Sequence, residues 1–188
     1  FSSRRRHTRC SRDWVQTCAL PICPPVDSDP PGVPPVRIIS GRYVTLEPVD
    51  ADAHAPGLYA ISHGSPAIEA LWTYLSAGPF PDGPAMKAWL RRCELSEDPL
   101  FFTVVDNERD RPAGMVSLLN IARDMHRLEV GNIWYGTAYQ RTRANTEAVY
   151  LLLSVAFDVL GYRRVEWKCD ALNARSRAAA ERLGFTFE

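Results

Sequence analysis

The sequence predicts an α+β fold, a mixed, mostly antiparallel sheet flanked by helices. Three observations carry this. Segments of alternating polarity at 41–49, 100–106, 113–122 and 126–135 read as successive strands. A long apolar helix over 144–160 then sits between two strands, a crossover expected to be right-handed and parallel. A chain of 188 residues, 46% hydrophobic and 23% charged, suffices for one domain with a sizeable core.

The elements follow in order. Residues 1–23 show neither helical nor strand periodicity, lack an initiator Met, and lack the apolar core of a secretory signal. Such an Arg- and Ser-rich start fits an organelle transit peptide or a nuclear-localisation patch. It is read here as a non-native segment, the conceptual translation of sequencing-adapter read-through. Residues 24–36 hold six prolines in thirteen positions and read as an extended, solvated linker, so the structured domain is expected over 37–188. "GRYVTLEPV" is the first strand, 51–62 a helix, "GPFPDG" a turn, and Pro84 opens a second amphipathic helix. The strands 100–106 and 113–122 form a hairpin about "NERDRP", and 126–135 follows. The 144–160 helix has a broad apolar surface (Val149, Leu152, Leu153, Ala156, Val159, Leu160) and Gly161 as its left-handed end. "RRVEWKC" is a strand, Asn173 caps the helix "ARSRAAAERL", and Gly184 stops it.

Composition excludes several function classes. The net charge is zero, but five arginines fall within the first 23 residues against one acid, leaving 17 basic and 21 acidic residues beyond. An acidic body is a poor nucleic-acid binder, and that reading depends wholly on residues 1–12. No apolar run approaches the roughly 20 residues of a membrane span. The cysteines beyond the N-terminal piece, Cys93 and Cys169, lie far apart and suit a reducing cytoplasm. There is no Cys/His cluster with metal-ligand spacing, no Ser/His/Asp constellation and no Walker loop.

The junction after Tyr135 carries the clearest chemistry. A strand, the loop "QRTRAN" and a helix N-terminus together offer unpaired N–H groups, a partial positive charge and two arginines, a setting for phosphate. This junction and "NARSRAAAERLGF" resemble the GNAT superfamily of acyl-CoA-dependent N-acetyltransferases, most nearly the branch related to ribosomal-protein N-terminal acetyltransferases. The resemblance covers about 150 residues.

The resemblance implies a three-layer α/β/α arrangement with acetyl-CoA as acyl donor. Its Q/R-x-x-G-x-G/A loop falls on Gln140, Arg141, Thr142, Arg143, Ala144 and Asn145, with Arg143 and Asn145 standing where the family has Gly or Ala. It implies that the strands flanking the crossover splay, and that the main chain at Ile133, Trp134 and Tyr135 pairs with pantetheine. Asn173 would face the pantetheine arm and Ser176 a phosphate; Asn173 is also simply a helix cap. Glu129 is the candidate general base, with a solvated strand carboxylate as the plain alternative; His126 and Asp170 are weaker candidates. Trp72, Tyr74 and Phe80 would line the acceptor site, although aromatics at such spacing also build cores. The family continues beyond "LGFTF" through another strand pair, so its final strands are expected to be missing and residues 1–188 alone weakly active.

The expected function is acetyl transfer from acetyl-CoA to a primary amine, in the cytoplasm. A catalytically silent CoA-binding module is the rival. The acceptor's identity and the oligomeric state are not readable from the sequence.

Overall fold

The structure is a computed structural model that describes residues 15–19 and 29–188. The arginine-rich stretch at 1–12 and most of the segment read as non-native lie outside the described residues.

In chain order the elements are β1 (Val15–Ala19), β2 (Ile39–Ser40), β3 (Val44–Pro48), α1 (Ala51–Ser62), α2 (Pro66–Glu69), a 3-10 turn at Ala70–Tyr74 and α3 (Gly83–Glu94). They continue with β4 (Leu100–Asp106), β5 (Arg111–Ala122), β6 (Arg127–Tyr135), a 3-10 turn at Thr137–Tyr139 and α4 (Arg143–Ser154). A π-helical turn at Val155–Val159 extends α4, and β7 (Arg164–Asp170), α5 (Ala174–Arg182) and β8 (Thr186–Phe187) close the chain. Among the described residues the strands form one sheet in the order β2-β3-β4-β5-β6-β7-β1-β8. Pairing is antiparallel except between β6 and β7, which run parallel as the crossover requires.

Local chemistry explains the helix ends. Asp50 caps α1 by accepting from the N–H groups of Asp52 and Ala53, and Asp82 caps α3 through Ala85. Gly161 and Gly184 take the left-handed φ values of 80° and 91° that stop α4 and α5.

The core has two parts, one on each face of the sheet. Val44, Phe102, Val116, Leu128 and Val165 pack with Ala148, Val149 and Leu152 of α4. On the other face Met115 and Trp134 pack with Leu58 of α1 and with Met86 and Leu90 of α3. Full burial of each Leu or Met stabilises by roughly 1.5–3 kcal/mol.

Three expectations need correction. Val159 is 61% exposed and not on the buried surface. Leu160 N–H bonds to the Val155 carbonyl, and the wider π turn shifts the residues that follow out of the 3.6-residue stripe. Within the described part of the proline segment, 29–36, the chain is docked at two points and otherwise exposed or half-buried: Pro31 and Pro34 are buried, Gly32 N–H donates to the Leu160 carbonyl, and Arg123 Nε donates to the Pro31 carbonyl. Residues 15–19 form a strand despite lacking periodicity, lying antiparallel between β7 and β8. Main-chain N–H and C=O groups suffice for that pairing, so no side-chain alternation announces it. Two-residue β2 and the short α2 went unpredicted because neither is long enough to show a period. Among the described residues no helix is long and apolar enough to cross a membrane.

Candidate active site

The parallel pairing of β6 and β7 is short. It runs from Arg127↔Arg164 to Glu129↔Glu166, and beyond it β6 continues to Tyr135 and β7 to Asp170. The strands flanking the crossover therefore diverge, as the resemblance implied. Next to the divergence β6 carries a bulge, where its pairing with β5 shifts between Met115 and Ser117. Asn132 takes a left-handed φ of 50° there, and its Nδ2 donates to Ser117 Oγ at 2.8 Å. Ser117 Oγ in turn donates to the Gly131 carbonyl, so a small polar network fixes the bulge.

The loop after β6 is held at both ends. Gln140 Nε2 donates to the Tyr135 carbonyl at 3.1 Å. Thr142 Oγ1 donates to the Tyr139 carbonyl and accepts the Ala144 N–H as the N-cap of α4. The one left-handed residue in the loop is Arg141, with φ 61°. Arg143 and Asn145 already belong to the first turn of α4, where helical φ suits any residue. The conformational freedom of glycine is therefore not missed at 143 or 145.

Two side chains of this turn behave unexpectedly. The Arg143 guanidinium lies 3.8 Å above the Tyr43 ring centroid, so its charge is drawn to β3. Asn145 is buried and its Oδ1 has no hydrogen-bond partner among the described residues. Beside them is an open depression of about 560 Å³, lined by Arg42, Tyr43, Asp106, Arg109, Tyr139 and Arg143. Burial would raise the Asp106 carboxyl, but the hydrogen bonds from Arg109 and the Glu108 N–H, with the Arg109 charge, together hold it below the usual range.

Glu129 lies at the point of divergence, 5% exposed. Its Oε2 accepts from Asn120 Nδ2 at 2.7 Å and from Lys168 Nζ at 2.9 Å. It is thus not the solvated strand carboxylate of the plain reading. Lys168 also reaches Glu166 Oε2 at 2.9 Å, and Glu166 is further paired with Arg127 and Arg164. Of the weaker base candidates, His126 precedes β6 at the paired end. Asp170 accepts the Leu172 N–H in the turn leaving β7.

Of the three aromatics expected to line the acceptor site, Trp72 and Phe80 pack together and Tyr74 stands apart. Trp72 is 3% exposed, its Nε1 donates to the Ser62 carbonyl, and its ring meets Phe80 and Trp134 at 5.3 and 5.0 Å. It is a core residue backing Trp134, just past the bulge. Phe80 is half-buried in the same cluster. Tyr74 alone is well exposed, and its hydroxyl donates to the Leu172 carbonyl between β7 and α5. Asn173 caps α5 by accepting the Ser176 N–H, and Ser176 Oγ accepts from Trp167 Nε1. The main chain of Ile133, Trp134 and Tyr135 follows the bulge on the diverging part of β6.

Sequence reasoning missed Lys168 and Asn120. Lys168 alternates with Glu166 in "VEWKC", a signal that the two share a face; nothing in the sequence announces the left-handed Asn120, φ 50°. It also missed a Thr103–His54–Glu47 chain, with His54 Nδ1 2.9 Å from Thr103 Oγ1 and Nε2 3.1 Å from Glu47 Oε2. Thr103 is fully buried, so this chain pins α1 to the sheet and offers no accessible nucleophile.

Residues 44–186 match a family described as an acetyltransferase (GNAT) domain. A GCN5-related N-acetyltransferase from Brucella melitensis is 40% identical, with a TM-score of 0.82 over 86% of this chain and 73% of that one. A GNAT-family acetyltransferase from Chromobacterium violaceum is 36% identical, with a TM-score of 0.79 over 90% and 85%. The ribosomal alpha-N-protein acetyltransferase RimL shares the fold at 18% identity, TM-score 0.65, over 80% and 84%. No curated protein matches. The diverging strands, the bulge and the loop-to-helix junction thus sit within a match spanning most of the chain, which belongs to the GNAT family of acetyl-CoA-dependent N-acetyltransferases.

Proposed function

We propose that this chain transfers acetyl from acetyl-CoA to a primary amine, on a protein N-terminus or a small molecule, by direct attack in the cleft between β6 and β7. The observation that carries this is the end of β6–β7 pairing at Glu129↔Glu166, which leaves two main-chain edges able to pair with an amide-bearing arm. The first turn of α4 and the exposed Arg141 suit the phosphate end, and Gln140, Thr142, Arg143, Ala144 and Asn145 complete that loop. Main chain at Ile133, Trp134 and Tyr135 would hold the arm, with Asn173 and Ser176 from α5 opposite.

The amine must be neutral to attack, and an α-amine near pKa 8 or a lysine near 10 is largely protonated at neutral pH. Glu129 takes the proton, directly or through water. The nitrogen bonds to the thioester carbonyl carbon and a main-chain N–H of β6 steadies the oxyanion. The C–S bond then breaks, and the departing CoA thiolate takes the second proton from the nitrogen, giving the amide and the free thiol. Tyr74, the exposed aromatic spanning toward β7–α5, together with Trp72 and Phe80 behind the bulge, shapes the acceptor side.

Thermal-shift titration with acetyl-CoA, followed by thiol release on a panel of peptides, polyamines and amino acids, tests this. Stabilisation with amine-dependent thiol release is expected. Stabilisation without release would instead establish the silent CoA-binding module.

A further inference from the structure

The cluster around Glu129 has more partners than a lone base requires. Lys168 stands two residues past Glu166, the last β7 residue paired with β6, and its ammonium bridges Glu129 Oε2 and Glu166 Oε2 at 2.9 Å each. The charged groups facing this bridge among the described residues are Arg127 on β6, Arg164 on β7 and, through Arg164, Glu188.

Glu166 has two further cations besides Lys168. Arg164 Nε holds its Oε1 at 2.9 Å and Arg127 Nη1 its Oε2 at 3.3 Å. Burial alone would raise the Glu166 carboxyl, yet the hydrogen bonds from Lys168 and Arg164 leave it below its usual range. Glu129 is the asymmetric member. Among the described residues Lys168 is its one cation, and both Lys168 and Asn120 bind the same oxygen, Oε2. The other oxygen, Oε1, has no hydrogen bond among the described residues and lies 3.7 Å from where a Cβ on Gly131 would stand. It is thus turned along β6 toward the bulge at Asn132, over a position without a side chain.

We propose that Lys168 is a positioning residue for Glu129: with Asn120 it clamps Oε2, so that Oε1 is presented to the diverging cleft. This rests on the reading of Glu129 as the general base. A base acts only within hydrogen-bond reach of the proton it takes, and a glutamate free to rotate is within reach only part of the time. Asn120 acts with Lys168, its left-handed backbone aiming the amide across to β6.

Steady-state kinetics and a carboxyl spectrum together test this. K168M is expected to lower kcat about tenfold while leaving the KM for acetyl-CoA within twofold, and K168R to restore most of the rate. N120G, which keeps the left-handed backbone, is expected to lower kcat several-fold. K168M in an E129Q background should add no further loss, because a residue acting through Glu129 is silent once that carboxylate is gone. Independently of turnover, the Glu129 side-chain carboxyl 13C resonance, assigned by its disappearance in E129Q, should move in K168M and stay in K168R. Wild-type kcat in K168M, a loss that multiplies with that of E129Q, or an unmoved resonance would each overturn the proposal. If E129Q itself keeps the wild-type rate, the base assignment falls, and the clamp falls with it as a catalytic device. Loss in E129Q with none in K168M removes the clamp alone.

Discussion

The carboxylate of Glu147 accepts the main-chain N–H of Tyr43 at 2.6 Å, across 104 residues of chain. The same carboxylate accepts the N–H groups of Arg42 at 2.9 Å and Val44 at 2.7 Å, so one side chain of α4 satisfies three successive donors at the start of β3. Hydrogen bonds to a charged acceptor contribute about 1.5–3 kcal/mol each when shielded, less where water competes. E147A is expected to lose about 2–4 kcal/mol, a fall of roughly 5–15 °C in melting temperature for a domain of this size. E147Q, which keeps one acceptor oxygen, should lose about half as much. A change below about 2 °C in E147A would show that water replaces the carboxylate freely.

Arg141 sets stability against affinity. Its φ of 61° is strained for a side-chain-bearing residue by about 1–3 kcal/mol, part of which glycine returns through its freer unfolded chain. R141G is therefore expected to raise stability by about 1 kcal/mol or less. If the loop holds phosphate, the same change weakens acetyl-CoA about threefold, more at low salt than at high. Calorimetry at two ionic strengths checks both signs, and unchanged affinity at low salt would remove Arg141 from the phosphate site.

Asn145 hides a carbonyl oxygen without a partner among the described residues. An unsatisfied buried acceptor costs about 1–3 kcal/mol, and alanine is also the better helix former. N145A is expected to raise the urea midpoint, by about 1–2 kcal/mol in stability. A fall in the midpoint would mean that Asn145 gains more from its packing than it loses at Oδ1.

His63 makes stability depend on pH. Burial holds its pKa below 6.5, with the Glu69 charge pulling weakly the other way. Its Nε2 accepts the Phe80 N–H at 2.8 Å, which a protonated ring cannot do. The unfolded chain therefore binds the proton more readily below pH 6.5. The contribution of His63 is complete above that value and is lost as pH falls toward the folded pKa. The melting temperature should decline between pH 7 and 5, and that slope should flatten in H63Q. Parallel pH profiles for the two proteins would discard the assignment.

Much of the framework was legible because its signals are local. α1 begins and ends where the apolar spacing of 51–62 places it, and Gly161 and Gly184 stop their helices as expected. The loop after Tyr135 could be located from strand, arginines and helix start alone. Where each side chain of that loop went was not legible, because the answer lies on distant strands. Arg143 is taken by Tyr43, a hundred residues earlier, and Glu129 by Lys168 and Asn120 from two neighbouring strands. Trp72 could be read as core or as pocket lining, and its enclosure by Phe80, Trp89 and Trp134 is a grouping that exists only once α3 and β6 are packed.

The three-residue seam between β6 and β7 divides the sheet mechanically into two leaves. α4 lies across β3, β4, β5 and β6 and stiffens the first leaf, while the second joins the first through that seam and through the core that Val165 and Trp167 share with α4. Widening or narrowing the cleft is then a torsion of β7 about a short hinge at Glu129 and Glu166. The swinging leaf carries Lys168 and, past its far end, Leu172 and Asn173. Tyr74, tied to the Leu172 carbonyl, is the latch that such a torsion has to release.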